Sequence, residues 1–234
     1  MSLLRLVLAL PLSALLTAAC SGDKPATGPI AARPAAPAGI ASAEPGDDKA
    51  APPAPDTAIG ERPVTRTLAS PRNDVAGAPN LAQVSPVLWR SAQPTAEGLK
   101  SLKALGIRTV VNLRNVSSDR DELQGLGLRY GHIHFATWHA EDKDVVAFLK
   151  ILSDPANHPV LVHCQHGADR TGTMVAVYRV VMEGWTMEEA MQELPRFGFH
   201  SIWTNLKDYL QKLDAASIRK KVDAATATPV EVVP

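Results

Sequence analysis

The stretch VLVHCQHGADRTG, residues 160–172, ends a short apolar run at His163 and Cys164 and sets Arg170 six positions beyond the cysteine. Between them lie Gln165, His166, Gly167, Ala168 and Asp169, and Thr171 and Gly172 follow. A loop of this length between a strand and a helix can turn successive backbone N–H groups inward as a nest for an anion. The helix N-terminus adds unpaired donors and partial positive charge. Arg170 brings a planar fork that matches two oxygens of a phosphate, and Gly167 lets the loop close tightly. The segment thus predicts a cradle for a tetrahedral oxyanion, with Gln165, His166, Gly167 and Ala168 around the ligand and a sulfur at its floor. Donors that hold an anion also favour thiolate over thiol. A thiolate there attacks bound phosphorus and splits hydrolysis into two steps. Thr171 is placed to hydrogen-bond the sulfur. His163 is expected to fix the loop through its ring nitrogens.

This cradle needs a strand before it and a helix after it, and the surrounding pattern provides both. PVLVHC (159–164) is a continuous apolar run, the pattern of a strand buried on both faces, and a helix follows at 170–183. Upstream, VLWR (87–90) reads as a strand. Thr95 then caps a helix with Leu99, Leu102 and Leu105 on one face and Gly106 as its stop. IRTVVNLR (107–114) and LRYGHIHF (128–135) read as strands around a short helix in DRDELQGLG, and KDVVAFLKILSD (143–154) as a helix. Two more helices are expected at 186–194, opened by a capping box of Thr186 and Glu189, and at about 200–213. Strands alternating with helices predict an α/β domain with a mostly parallel central sheet flanked by helices. Ligands of such sheets bind beyond the carboxyl ends of the strands, where Cys164 sits.

His163-Cys164-x5-Arg170-Thr171-Gly172 resembles the signature of cysteine-dependent tyrosine and dual-specificity phosphatases. LWRSAQPTAEGLKSLKALGIRTVVNLR (88–114) and NHPVLVHCQHGADRTG (157–172) look like bacterial relatives of the plant-and-fungal atypical dual-specificity group. The resemblance covers roughly residues 84–214. It implies the cysteine-phosphatase fold, a phosphocysteine intermediate, a phosphorylated protein as substrate, and no metal or other cofactor. A rhodanese fits less well, because that loop usually has one residue fewer before its arginine.

The leaving group needs a proton. In the family this usually comes from an aspartate on the loop after the preceding strand, and that position falls near Thr137, which is not acidic. Asp142, with Glu141 beside it, is the nearest loop carboxylate and the first expectation. Asp144 is read as the N-cap of the next helix. Asp169 is the second expectation, since phosphatases of the myotubularin type carry their acid at that loop position. Trp138 is a candidate to stack on a phenol ring, and Arg114, ending a strand on the same side, to meet substrate charge. The alternate histidines His132 and His134 have no third ligand near in sequence, so no metal is expected.

The rest of the chain bounds the class. The 24 Lys and Arg balance 24 Asp and Glu, which leaves no basic footprint for nucleic acid. Residues 1–20 read as a signal peptide: Arg5, an apolar run Leu6–Leu16, then small residues before Cys20. Cys20 so placed resembles a lipobox cysteine, with Thr17 where that motif usually has leucine. It predicts an exported lipoprotein anchored to the periplasmic side of a membrane, with a soluble periplasmic protein as the alternative. Residues 21–83 form a Pro/Ala-rich stretch, with eleven prolines and no aromatics over 21–80, and are expected to be a disordered linker. Residues 84–214 are then the phosphatase domain, and 215–234 a flexible tail. Phosphotyrosine on proteins is the leading substrate, with phosphoserine/threonine behind it. A phosphoinositide or inositol-phosphate phosphatase is the alternative enzyme, although the loop lacks the lysines that greet such headgroups. A non-catalytic phosphate-binding lipoprotein is the alternative outside catalysis.

Overall fold

The central strands are four residues long and largely buried on both faces, so each needs cover from two sides. In the computed structural model, which describes residues 66–234, helices supply that cover. Six strands lie in the order β1 (Ala82–Gln83), β2 (Leu88–Ser91), β5 (Val160–His163), β3 (Thr109–Asn112), β4 (Arg129–His132) and β6 (Glu231–Val232). The inner four are mutually parallel, and the two short edge strands run antiparallel. Successive side chains of a strand face opposite sides. Val111 of β3 and Val160 and Val162 of β5 enter one core, while Val110 and Leu161 enter the other. The first core is covered by α3 (Asp142–Leu152), α4 (Asp169–Glu183), α6 (Thr204–Gln211) and α7 (Ala215–Ala224). The second is covered by α1 (Ala96–Ala104) and α2 (Arg120–Leu123).

Two of the N-caps read from sequence are present. Thr95 Oγ1 accepts from Gly98 N at 3.1 Å, and Thr186 and Glu189 form a reciprocal capping box at the start of α5 (Met187–Met191). The helix expected over 186–194 is shorter than that. A 3₁₀ turn, Leu194–Phe197, follows it, because Pro195 has no N–H to continue an α-helical ladder. Asp144 is not the N-cap of α3. Glu141 holds that position, and Asp144 sits inside the first turn, where burial raises its carboxyl above the usual range.

Both ends of the domain extend past 84–214. On the N-terminal side, Ala78, Leu81 and Ala82 are buried. Arg66 pairs with Glu189, and the N–H of Ala69 donates to the buried Glu193 carboxylate, which also takes Arg179 at 2.8 Å. So residues 66–83 are domain, and the expected linker over 21–65 lies outside the described residues, as do residues 1–20. On the C-terminal side, the expected flexible tail carries α7, capped by Asp214, and the edge strand β6. Ile218 and Val222, one turn apart, are buried in the first core, and Val233 in the second. Alanine and threonine around them hide an i, i+4 apolar pair and a short β-branched run.

Candidate active site

β5 lies between β2 and β3, so the loop leaving its carboxyl end touches the ends of both neighbours. Cys164 is the first residue of that loop and is 2% exposed. Three consecutive loop carbonyls are each held from outside. Gln93 N–H donates to Gln165 O at 3.2 Å, Asn80 Nδ2 to His166 O at 3.1 Å, and Arg90 Nη2 to Gly167 O at 2.8 Å. With the carbonyls turned out, the N–H groups are left for the inside. Among the described residues, none of the backbone N–H groups from Gln165 to Thr171 has a protein acceptor. The N-cap of α4, Ala168, offers no side-chain oxygen to them either. This is an anion nest continued by a helix N-terminus.

Gly167 permits the arrangement. Its φ is +68°, and a Cβ there would stand 2.5 Å from Ala92 N and 2.6 Å from Ser91 C and O. Only glycine fits such a left-handed turn pressed against the end of β2.

The guanidinium of Arg170 lines the pocket and is braced at Leu113 O, 3.3 Å away at the end of β3. The Thr171 hydroxyl is buried and has no hydrogen-bond partner among the described residues. His163 is fully buried between two acceptors, with Nε2 2.8 Å from Asp119 Oδ2 and Nδ1 3.2 Å from Cys164 O. The ring thus ties the start of the loop to Asp119, 44 positions away in the chain.

Arg90 was not singled out by the sequence analysis. It is fully buried, its guanidinium lies 3.6 Å over the ring of Phe197, and Nε and Nη1 have no partner. Burial pushes its pKa down to about 10, opposed by Glu193 and by the charge of Cys164, so the side chain stays cationic near neutrality. The signal was the parity of β2: Arg90 faces the same side as the core residue Leu88. Asn80 and Gln93 were missed for a different reason, since their contacts cross the fold.

The pocket at Cys164, about 290 Å³, is lined by Thr137, Cys164, His166, Asp169, Arg170, His200, Ile202 and Trp203. A larger cleft of about 340 Å³ passes Arg120, His132 and His134 but holds no nucleophile. Those two histidines each bond a carbonyl, and no group of three potential metal ligands occurs among the described residues.

Several expected residues lie elsewhere. Arg114 is buried and directed at Asp119 and Ser118 O rather than into the pocket. Trp138 is 67% exposed and outside the lining, and the aromatic wall comes from Trp203 instead. Asp142 is also outside the lining. Its carboxylate binds Lys221 and accepts from Tyr209 Oη at 2.9 Å, and Lys221 holds its pKa below the usual carboxylate range. Glu141 pairs with Lys143. Of the acidic candidates, only Asp169 lines the pocket. Its oxygens accept from His200 N at 2.8 Å and from His200 Nδ1 at 2.9 and 3.1 Å.

Residues 72–207 match the family described as a DSP-PTPase phosphatase fused to NAD+ kinase. The chain belongs to this phosphatase family. It is 36% identical over 121 residues to the dual specificity protein phosphatase TpbA of Pseudomonas aeruginosa, covering 51% of this chain and 55% of that protein. It is 30% identical over 125 residues to the inositol diphosphatase DSP5 of Arabidopsis thaliana, covering 49% and 60%. The chain thus spans little more than half the length of these curated relatives. The crystal structure of P. aeruginosa TpbA superposes with a TM-score of 0.59 at 28% identity, over 67% of this chain and 97% of that one. A cysteine-to-serine form of TpbA in complex with phosphotyrosine gives the same score at 27% identity. Thr137, near where the resemblance implies an aspartate, lines the pocket with no carboxylate.

Proposed function

We propose that this protein is a cysteine-dependent phosphatase that hydrolyses phosphomonoesters, protein phosphotyrosine first among them, through a phosphocysteine at Cys164. The observation that carries the reading is the loop itself, with carbonyls tied outward and N–H groups free on the side of Cys164 and Arg170. In the first step the Cys164 sulfur forms a bond to phosphorus as the ester P–O bond breaks, and the leaving oxygen takes a proton. In the second, water oxygen bonds to phosphorus, the S–P bond breaks, and a water proton passes to the group that gave the first one. Arg170 spans two non-bridging oxygens and the loop N–H groups hold the developing charge. The Thr171 hydroxyl donates to the departing sulfur.

Two observations favour an aromatic ester. Ile202 and Trp203 give the pocket an apolar wall, and a related protein has been seen with phosphotyrosine. Phosphoserine/threonine remains the secondary protein substrate. The inositol diphosphatase relatives support a second reading, a highly phosphorylated inositol. Against it, the loop between Cys164 and Arg170 holds no lysine. Turnover of phosphotyrosine peptides and of inositol pyrophosphates, compared side by side with EDTA present, separates the two. A markedly higher kcat/KM on the peptides supports the first reading, and the reverse order overturns it. A protein that binds phosphate but turns over neither is a binding lipoprotein.

The proposed location rests on residues 1–20. Among the described residues no helix is long and apolar enough to cross a membrane. Export and lipidation at Cys20, with the domain held on the periplasmic side, are tested by fatty-acid labelling. The label should disappear in Cys20→Ser, and an unlabelled periplasmic protein would favour plain secretion.

A further inference from the structure

We infer that His200, oriented by Asp169, is the general acid that protonates the leaving oxygen, in place of a loop aspartate. The inference rests on the phosphatase reading above and deepens it. Thr137, which lines the pocket where a carboxylate was sought, cannot serve as an acid at neutral pH. Asp142 points to Lys221 and Tyr209. Asp169 is engaged by His200 and not turned to the open pocket: its Oδ1 accepts from the His200 backbone N–H at 2.8 Å, and both of its oxygens lie within 3.1 Å of the ring Nδ1. The proton carrier of the pair is the imidazole.

The geometry fits that role. A hydrogen bond from Nδ1–H to a carboxylate fixes the ring's tautomer and orientation. Nε2 is then the nitrogen that gains and loses the proton. It has no protein partner among the described residues, and His200 lines the pocket with Cys164 and Arg170. The pairing also accounts for an acidic residue inside an anion cradle, where a lone negative charge would oppose phosphate. With His200 protonated, the pair is neutral. The charged and titratable groups facing the ring are Asp169 from α4, His166 from the loop with its ring edge-on 5.9 Å away, and Arg170 and Cys164 across the pocket. On its own side Lys207 lies over Phe199. Asp169 is the one carboxylate in contact with the ring.

The proton balance is complete. In the first step Nε2–H passes to the ester oxygen as its bond to phosphorus breaks, leaving His200 neutral. In the second, Nε2 takes a proton from the attacking water as the S–P bond breaks, and the imidazolium is restored.

The test uses the full chain with a phosphotyrosine peptide, whose leaving phenol needs a proton, and p-nitrophenyl phosphate, whose leaving group barely does. His200→Gln should lose about 10²–10³-fold in kcat on the peptide but less than about tenfold on p-nitrophenyl phosphate. The basic limb of its pH profile should vanish. Asp169→Asn should show the same leaving-group dependence, since the ring loses the carboxylate that orients it. The double variant should be no worse than His200→Gln alone, the non-additivity expected of one unit. Vanadate affinity within a few-fold of wild type in each variant shows that the cradle is intact. Equal losses of His200→Gln on both substrates would make His200 structural and overturn the inference. So would a leaving-group dependence appearing in His166→Gln and not in His200→Gln. Wild-type turnover that survives Cys164→Ser would instead overturn the phosphatase reading.

Discussion

Replacing Arg90 with methionine separates what holds the fold from what makes the site. The side chain is fully buried, makes one hydrogen bond, to Gly167 O at 2.8 Å, and leaves Nε and Nη1 unpaired. Burying a cation with so few partners is costly, and exchanging it for an apolar chain of similar size is often neutral or stabilising. Thermal stability should therefore hold or rise by up to about 1–4 kcal/mol. The loop loses more. A hydrogen bond from a charged donor contributes roughly 1.5–3 kcal/mol, and its loss frees the Gly167 carbonyl to turn inward. At about 1.4 kcal/mol per tenfold, kcat/KM and vanadate affinity should fall roughly ten- to a hundredfold. A cation near the sulfur is lost as well, so alkylation of Cys164 by iodoacetamide near neutral pH should slow, measured in a Cys20→Ser background. A variant with wild-type kcat/KM and alkylation rate would refute the argument that Arg90 holds the cradle open. Low activity together with severe unfolding would refute the claim that its role lies in the site.

Gly167→Ala places a Cβ within 2.6 Å of the end of β2 at a φ of +68°. It should cost about 2–5 kcal/mol in denaturant unfolding, from left-handed backbone and overpacking together, with activity lost in the fraction that still folds. Asp142→Asn should leave kcat unchanged on both substrates and change stability by less than about 1 kcal/mol, since the Lys221 pair is partly exposed. The pH sign is set by the lowered pKa of Asp142. Its stabilisation is present above the unfolded-state carboxylate value and is lost as pH falls through the folded one, so wild type and variant should converge in acid. Deleting residues 215–234 removes Ile218, Val222 and Val233, each at most 5% exposed, from the two cores. At about 1.5–3 kcal/mol per buried aliphatic side chain, the deletion should lower stability by several kcal/mol in a melting experiment, where a flexible tail would leave it unchanged.

The cradle was legible because its parts are consecutive: a buried strand, Cys164, Gly167, Arg170 and a helix start within thirteen residues. The parallel sheet followed from strands that alternate with capped helices. The residues that aim the cradle were not legible. Asn80 sat in a proline- and alanine-rich stretch that composition alone assigns to a linker, yet its side chain bonds His166 O and Phe197 O from 86 and 117 positions away. Asp119 reaches His163 across 44 positions and draws in Arg114, which reads locally as a free strand-end arginine. The acid was the hardest case. Asp142 is near in sequence but points to α6 and α7, whereas Asp169 meets His200 only because the segment after Phe197 folds back over the start of α4. Separation along the chain, rather than residue type, decides which parts of this site a sequence discloses.

The most direct measurement is rapid acid quenching of the enzyme during turnover of p-nitrophenyl phosphate, followed by mass spectrometry of the peptide that contains Cys164. The account predicts that this peptide carries the mass of one phosphoryl group on Cys164, that the adduct is absent in Cys164→Ser, and that the burst of p-nitrophenol matches its amount. Full turnover with no phosphoryl group on Cys164, or with the phosphoryl group on another residue, would contradict it.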